Sequence, residues 1–354
     1  MRVPERSIAG TGLFALDVIL RLDGSAASPA LGGSAGNVLA ILGALGWSST
    51  PVGVIGDDAA ARTIFSDFER VGADVRHLRR SCKGSTPVVF QHQLDSSETT
   101  HRFSFACPAC GTRRRPWWDE EHWLVDHAET LPAARVFYLD RPTHLGIKLA
   151  ERYARQGTVV VFEPSAIGDD AALFARALKT AGIVKYSDER LDGLRSFDLS
   201  PGTVEIQTRG AQGLRFRISQ AQRSWSYLSA FRLPYVHDTA GAGDWCTAGL
   251  LFEMFNQSNA PSNSEAMLAR GLAFGQALST LNCMTEGARG LLATWSADRI
   301  VQAARELANQ RLQADSASVH HHHEYHLSEL ADDIGQQARS GSSRANGFDC
   351  CAPF

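Results

Sequence analysis

The sequence predicts an α/β fold, in which a central, mainly parallel sheet lies between helices and a small β lid stands beside it. Three observations carry the prediction. Apolar strand candidates alternate with helical segments along most of the chain, an order that gives a parallel sheet covered on both faces. A glycine turn, LGGSAG, opens directly into a helix rich in small residues. One stretch, Thr86–Phe105, breaks the alternation with two adjoining strands, TPVVFQHQL and THRFSFA, around the polar turn DSSE. A hairpin inserted in this way into an α/β chain usually forms a lid.

The elements follow in order. SIAGTGLFALDVIL reads as a buried strand that turns at Gly10 and Gly12. LGGSAGNVLAILGALG reads as a turn and helix, with Ala35, Gly36, Ala40, Gly43 and Ala44 allowing close packing on the sheet. PVGVIGDD is a short buried strand. The helix after it places Ile64, Phe65, Phe68 and Val71 at helical spacing, with Asp57 or Asp58 as its cap and Gly72 at its end. After the hairpin, RVFYLD, TVVVFEP and AGIVKYS are strands separated by helices over Thr143–Gln156 and Asp169–Lys179. VEIQTRG and LRFRIS add two more strands. Helices are expected from about Ala242 to Asn256, Ser264 to Thr285 and Ala297 to Leu312. Beyond them the chain is polar and Gly/Ser-rich, with His320–His323, one short helical candidate near Leu327–Ile334 and the ending FDCCAPF.

The bulk numbers suit one large α/β domain with an appendage: 354 residues, 44% hydrophobic and 21% charged. A net charge of −3 leaves no electrostatic footprint for nucleic acid or an anionic membrane. No run approaches the roughly 20 apolar residues of a membrane span. The N-terminus has no apolar core behind its charges, so no secretion signal is read and a cytoplasmic location is expected. The seven cysteines are then not a disulfide framework.

The segment that carries chemistry is HDTAGAGDWCTAGLL. Its Gly-Ala-Gly turn opens straight into a helix, so the backbone N–H groups of Gly241, Ala242 and Gly243 can share one concavity at the positive end of the helix dipole. Asp244, on the first turn, puts a carboxylate beside that anion hole. There it can take a proton from an attacking hydroxyl while the N–H groups stabilise a transferring phosphoryl.

DTAGAGD resembles the C-terminal signature, D-T-x-G-A-G-D, of the ribokinase-like (PfkB) carbohydrate kinases. Further landmarks occur in that family's order over about residues 6–310. GTGLFALDVI resembles the first strand, whose Asp17 would contact substrate hydroxyls. LGGSAGN resembles the N-terminal G-G-x-x-x-N signature and carries over Gly32, Gly33 and Asn37 as substrate contacts. KYSDER places Ser187 where the family has the Asn of N-x-x-E. VEIQTRGAQGLRF resembles the T-x-G-x-x-G segment, with Thr208, Gly210 and Gly213 toward the nucleotide. ALSTLNCMTEGARG resembles the helix and loop that border adenine, with Asn282, Gly287 and Ala288 as candidates. One landmark departs from the pattern: Arg190 stands where the family has a Glu that organises Mg²⁺ through water.

The resemblance implies a ribokinase-like three-layer fold over residues 1–312, with lid elements at about 12–33 and 86–118. Residues 313–354 read as a polar extension beyond the family body, expected to dock on the lid. The resemblance also implies ATP and Mg²⁺ as cofactors and phosphorylation of a hydroxyl on a sugar or sugar-like molecule. A nucleoside kinase of the same family and a non-catalytic sugar- or nucleotide-binding regulator are the alternatives. The partner is a small molecule, and a homodimer through the lid stays open. Cys107 and Cys110 form a C-x-x-C half-site for zinc, which Cys350 and Cys351 would complete, with the histidines at 320–323 as competing ligands. A redox pair or an inert loop is the other reading of C-x-x-C. The basic run Arg113–Trp118 is either a solvated loop with its aromatics packed on the body or a binding element for an anionic substrate.

Overall fold

A computed structural model describes residues 3–95, 101–117, 130–191, 194, 197–219, 224–256, 264–316 and 327–340. The main sheet has eight strands: β1 (Ser7–Thr11), β4 (Ser48–Pro51), β9 (Val136–Leu139), β10 (Val159–Phe162), β11 (Ile183–Ser187), β12 (Val204–Thr208), β13 (Leu214–Ile218) and β14 (Ser226–Leu228). Their order is β14-β13-β12-β11-β10-β9-β1-β4, parallel from β4 to β12 and antiparallel at the β13 edge. The parallel strands are continuous apolar runs because both faces are covered.

One face packs on α1 (Ser34–Ala44), α2 (Ala59–Arg70), α5 (Ala242–Met254), α6 (Glu265–Asn282), α7 (Gly290–Thr294) and α8 (Ala297–Ser316). The other packs on α3 (His144–Arg155) and α4 (Ala171–Thr180). Asp58 caps α2 by accepting the Ala61 N–H at 2.9 Å, and Thr143 and Asp170 cap α3 and α4 in the same way.

The lid is a second sheet in the order β3-β2-β7-β8, made of β2 (Ala15–Leu20), β3 (Ala30–Gly32), β7 (Val88–Gln93) and β8 (His101–Ser104). The expected single strand at the N-terminus is two strands: β1 stays in the main sheet and β2 crosses into the lid. Asp17 therefore lies inside a lid strand, opposite Ala30 and Val89, rather than at the end of β1. PVGVIGDD also divides, after β4, into β5 (Gly53–Gly56), which pairs with β6 (Leu78–Ser81) in a separate two-stranded sheet.

Strand alternation gives the lid two unlike faces. Leu16, Val18, Val88 and Phe90 pack outward with Ala60 and Cys107. Asp17, Ile19, Val89, Gln91, Gln93 and His101 take the alternate positions.

The extension contributes α9 (Leu327–Ser340). Its Leu327, Ala331 and Ile334 are buried in the main core, and the Tyr235 hydroxyl donates to Ala331 O at 3.3 Å. Arg299 of α8 reaches Asp333 at 3.6 Å. α9 packs on the body, where its apolar stripe matches the core beside α7 and Tyr235; Cys350 and Cys351, through which the extension was expected to reach the lid, lie outside the described residues. Among the described residues no helix is long and apolar enough to cross a membrane.

Candidate active site

The site lies where parallel α/β sheets place sites, beyond the carboxyl ends of the strands. β9 ends into Asp140, β10 into Glu163, β11 at Ser187 and β12 at Thr208. The DTAGAGD turn faces this edge and opens into α5. Gly241 has a left-handed backbone, φ 75°, and a Cβ there would sit 2.5 Å from Ala288 O, so only glycine closes the turn. Gly243 is exposed at the N-terminus of α5. The cradle thus suits an anion, with one change from expectation: the Ala242 N–H donates to Thr239 O at 3.2 Å.

Asp244 is buried and accepts from Asn37 Nδ2 at 2.8 Å, which joins α1 to α5. Beside it lies a charge pair that sequence reading missed. Lys185 Nζ bonds the Glu163 carboxylate and, at 3.1 Å, Gly243 O. Thr247 Oγ1 lies 2.5 Å from Glu163 Oε2 and 3.2 Å from Gly243 O, and the Tyr138 hydroxyl donates to Glu163 at 3.3 Å. Burial, and then the Glu163 charge, push the Asp244 carboxyl well above its usual range, against Asn37 and Lys185. Burial works against the Lys185 charge, but Glu163 outweighs it and the amine ends above its ordinary value. A signal was present: Glu163 and Lys185 are lone charges in the otherwise apolar VVVFEP and AGIVKYS.

On the acceptor side, Asp17 packs against Gly32, where a Cβ would lie 1.8 Å from the Asp17 Cγ. Burial raises the Asp17 pKa to about 7, opposed by Arg289 and the Gly33 N–H. Arg289 bonds Leu31 O and lies 3.6 Å from Asp67. Asp140 accepts the Leu13 N–H at 2.9 Å, and burial raises its pKa. Three buried oxygens, Asp17 Oδ1, Asn37 Oδ1 and Asp140 Oδ2, have no hydrogen-bond partner among the described residues, although Arg141 Nη1 lies 3.8 Å from Asp140 Oδ2. Buried acceptors of this kind await donors. Asn37 and Asp244 are brought together in direct contact; Asp17, Gly32 and Gly33 stand together at the lid edge. Asp140 was missed, although RVFYLD ends on it.

The first aspartate of DTAGAGD does different work. Asp238 is buried, and its Oδ2 accepts from Gln91 Nε2 at 2.5 Å and the Gly287 N–H at 2.9 Å. Its Oδ1 accepts the Ala240 N–H at 2.9 Å and lies 3.1 Å from His101 Nδ1. Burial opposes the charge, but these bonds, His101 first, hold the carboxyl below its ordinary range. Gln91 and His101 are lid residues, so this carboxylate fastens the lid to the anion-hole loop. Arg21, just past the end of β2, adds a two-bond pair to Glu286, both at 2.7 Å. Asn282 is wholly buried; its amide donates to Ala240 O at 3.1 Å and Gly287 O at 3.2 Å, and its oxygen accepts from Leu291 N. It braces the same loop.

Ser187 and Thr208 pair across β11 and β12. The Ser187 hydroxyl accepts the Glu189 N–H at 3.3 Å. A tight turn follows, in which Gly213 N donates to Gly210 O at 3.0 Å. Arg190 is exposed, and Asp188 lies 3.6 Å from Arg209. Glu189 Oε1 comes within 3.8 Å of a Cβ built on Gly210. A Mg²⁺ carried by nucleotide phosphates would need only one or two carboxylates from the protein, and Glu189 is the carboxylate beside this turn that could supply one.

Cys107 is buried and Cys110 exposed in a turn where Cys107 N bonds Thr112 O at 2.9 Å. Among the described residues no group of three or more His, Cys, Asp or Glu could hold a metal. Cys350, Cys351 and His320–His323 lie outside those residues. The basic run folds back: Arg114 reaches Asp58 at 3.4 Å, and Trp117 covers Gly84 and donates to Ser85 O at 2.8 Å. Trp118 lies outside the described residues.

The family model described as pfkB family carbohydrate kinase matches residues 19–295. No curated protein gives a significant match. Among solved structures, the chain is similar to a fructokinase from Xylella fastidiosa with bound ATP, at 19% identity and a TM-score of 0.67, covering 88% of this chain and 99% of that one. It is similar to an aminoimidazole riboside kinase from Salmonella enterica complexed with aminoimidazole riboside and an ATP analogue, at 23% identity and 0.65, covering 84% and 99%. A Burkholderia thailandensis nucleoside kinase in complex with inosine gives 17% and 0.63, covering 84% and 97%.

Proposed function

Because this chain belongs to the pfkB family of carbohydrate kinases, we propose that it transfers the γ-phosphoryl of ATP to a hydroxyl of a sugar or nucleoside, with Asp244 as general base. The observation that carries the reading is the position of Asp244: a buried carboxylate one residue past the exposed Gly243 at the N-terminus of α5, held by Asn37 at 2.8 Å. The cradle takes the phosphoryl, and ATP supplies it. Mg²⁺ neutralises phosphate charge when bound, and Glu189 is the residue that would face it.

The chain's own groups do the rest. Asp17, Asn37 and Asp140 offer unpartnered acceptor oxygens to substrate hydroxyls. Asp244 takes the proton of the hydroxyl that attacks. The lid excludes water, which would compete as acceptor. A pocket of acceptors favours a neutral, polyhydroxylated molecule over an anionic one, and both neutral sugars and nucleosides meet that description.

The test is a phosphorylation screen with MgATP over D-fructose, D-ribose, inosine, sugar acids and sugar phosphates, run on the wild type and on Asp244→Asn. The expected result is transfer to a neutral acceptor, with turnover lowered about 10²–10⁴-fold in the variant. Wild-type turnover in Asp244→Asn removes the base. ATP binding with no transfer to any acceptor favours the regulator.

A further inference from the structure

The Lys185–Glu163 pair, its lysine buried and its carboxylate nearly so, meets the start of α5 beside the base. Its bonds converge on one atom. Lys185 Nζ donates to Gly243 O at 3.1 Å, and the Thr247 hydroxyl, whose one proton faces both Glu163 and this carbonyl, lies 3.2 Å from it. That carbonyl belongs to the peptide unit joining Gly243 to Asp244. Glu163 ties Lys185, Thr247 and Tyr138 together. Thus β9, β10 and β11 all grip the first turn of α5 through one carboxylate.

We propose that Lys185 and Glu163 are positioning residues, which fix the first turn of α5 through Gly243 O and tune Asp244 in opposite directions by their opposite charges. The proposal rests on Asp244 being the base. An ion pair built only to hold the turn would need no particular relation to the reacting carboxylate. Here the pair is bonded to the peptide carbonyl adjoining that carboxylate, and Glu163 raises its proton affinity while Lys185 lowers it. Asp140 also raises it and the Asn37 amide lowers it. Tyr138 and Cys246 are the other titratable groups of the cluster, and burial first keeps both neutral across the working pH range.

The sign follows from the charges. The base works only when deprotonated, so kcat/KM falls on the acidic side as Asp244 gains its proton. Glu163→Gln removes the negative neighbour, so Asp244 ionises more readily and the acidic limb moves to lower pH. Lys185→Met removes the positive neighbour, and the limb moves to higher pH. Each shift should be about one pH unit, a tenfold change in the proton concentration at the midpoint. Thr247→Val changes no charge; it should lower kcat and leave the limb in place.

The experiment measures kcat/KM against pH for wild type, Glu163→Gln, Lys185→Met and Thr247→Val. The acceptor is D-fructose, D-ribose or inosine, whichever turns over fastest, with folding checked by circular dichroism. Limbs displaced in opposite directions support the proposal. Limbs that move the same way, or stay within about 0.3 unit of wild type, overturn it. Lys185→Met leaves the mostly buried Glu163 carboxylate without its cation and is the variant at risk of misfolding. In that event Glu163→Gln decides alone, since its amide oxygen still accepts from Lys185: a limb that does not fall overturns the proposal. If Asp244→Asn keeps wild-type turnover, the base reading itself has failed, and that result is separate from a working base whose limb does not respond.

Discussion

Replacing Asp238 with Asn should loosen the lid without touching the reacting groups. The carboxylate accepts from Gln91, Gly287 and Ala240 and faces His101, at 2.5, 2.9, 2.9 and 3.1 Å. An amide keeps one oxygen, so its NH₂ must face two of those donors. Hydrogen bonds to a buried charged acceptor are worth about 1.5–3 kcal/mol each, so losing two costs about 3–6 kcal/mol. His101 can change tautomer and accept from the new NH₂, which points to the lower end, about 3 kcal/mol. The sign with pH follows from the depressed carboxyl: its contribution is present above the unfolded pKa and is lost as pH falls through the folded one. Urea unfolding at pH 7 measures the loss. Deuterium exchange over Val88–Gln93 and His101–Ser104 shows where it is felt. A loss under about 1 kcal/mol, or lid exchange equal to wild type, refutes the latch.

Gly241→Ala should lower turnover by at least about 10²-fold in steady-state kinetics, because the new Cβ meets Ala288 O at 2.5 Å and displaces the anion cradle. Asp17→Asn should raise Tm relative to wild type more at pH 8 than at pH 4. The raised carboxyl stabilises the fold while protonated, and that contribution is lost as pH climbs from 3.8 through about 7, so the variant removes the slope in this window. Ile334→Asp should undock α9, cost about 2–4 kcal/mol in chemical unfolding and make the extension the first segment cut in limited proteolysis, since Ile334 is wholly buried on the body.

Much of the body was legible because its signals are local. The apolar runs of β9, β10 and β11 and the amphipathic faces of α2 and α3 stand in the sequence with their caps. The DTAGAGD turn could be read as an anion site from the chemistry of two glycines and a helix start. The partnership of Asp244 with Asn37 could not, because it joins helices far apart in the chain, and only the resemblance put both at one site. The N-terminal strand was read as one that turns at Gly10 and Gly12; that Gly12 lies where the chain crosses into another sheet could not be read locally, because the second sheet that gives the reason to cross is built from residues far along the chain. Asp238 looked like part of a signature, yet its partners are lid residues chosen by strand register. Lys185 and Glu163 were visible as charges in apolar strands, but their meeting depends on β10 and β11 being neighbours. The extension was judged by its polar composition, whereas α9 docks through Leu327, Ala331 and Ile334, the buried side chains among its described residues.

The lid's central pairing has a consequence for how the chain is made. β2 lies beside β7 in parallel, with Leu16 opposite Val88 and Leu20 opposite His92. Parallel neighbours this distant in sequence cannot pair as a local hairpin. During synthesis β2 and β3 leave the ribosome with one open strand edge, and α1, α2 and β4 to β6 must emerge before β7 can cover it. Until then Leu16 and Val18, buried in the finished lid, are exposed on a nascent edge, the feature that invites intermolecular pairing. Loop closure over that separation comes before any return in contacts, so the lid should be among the slower parts to assemble. The sheet proposed to close over the site is thus also the one whose assembly depends on the timing of translation.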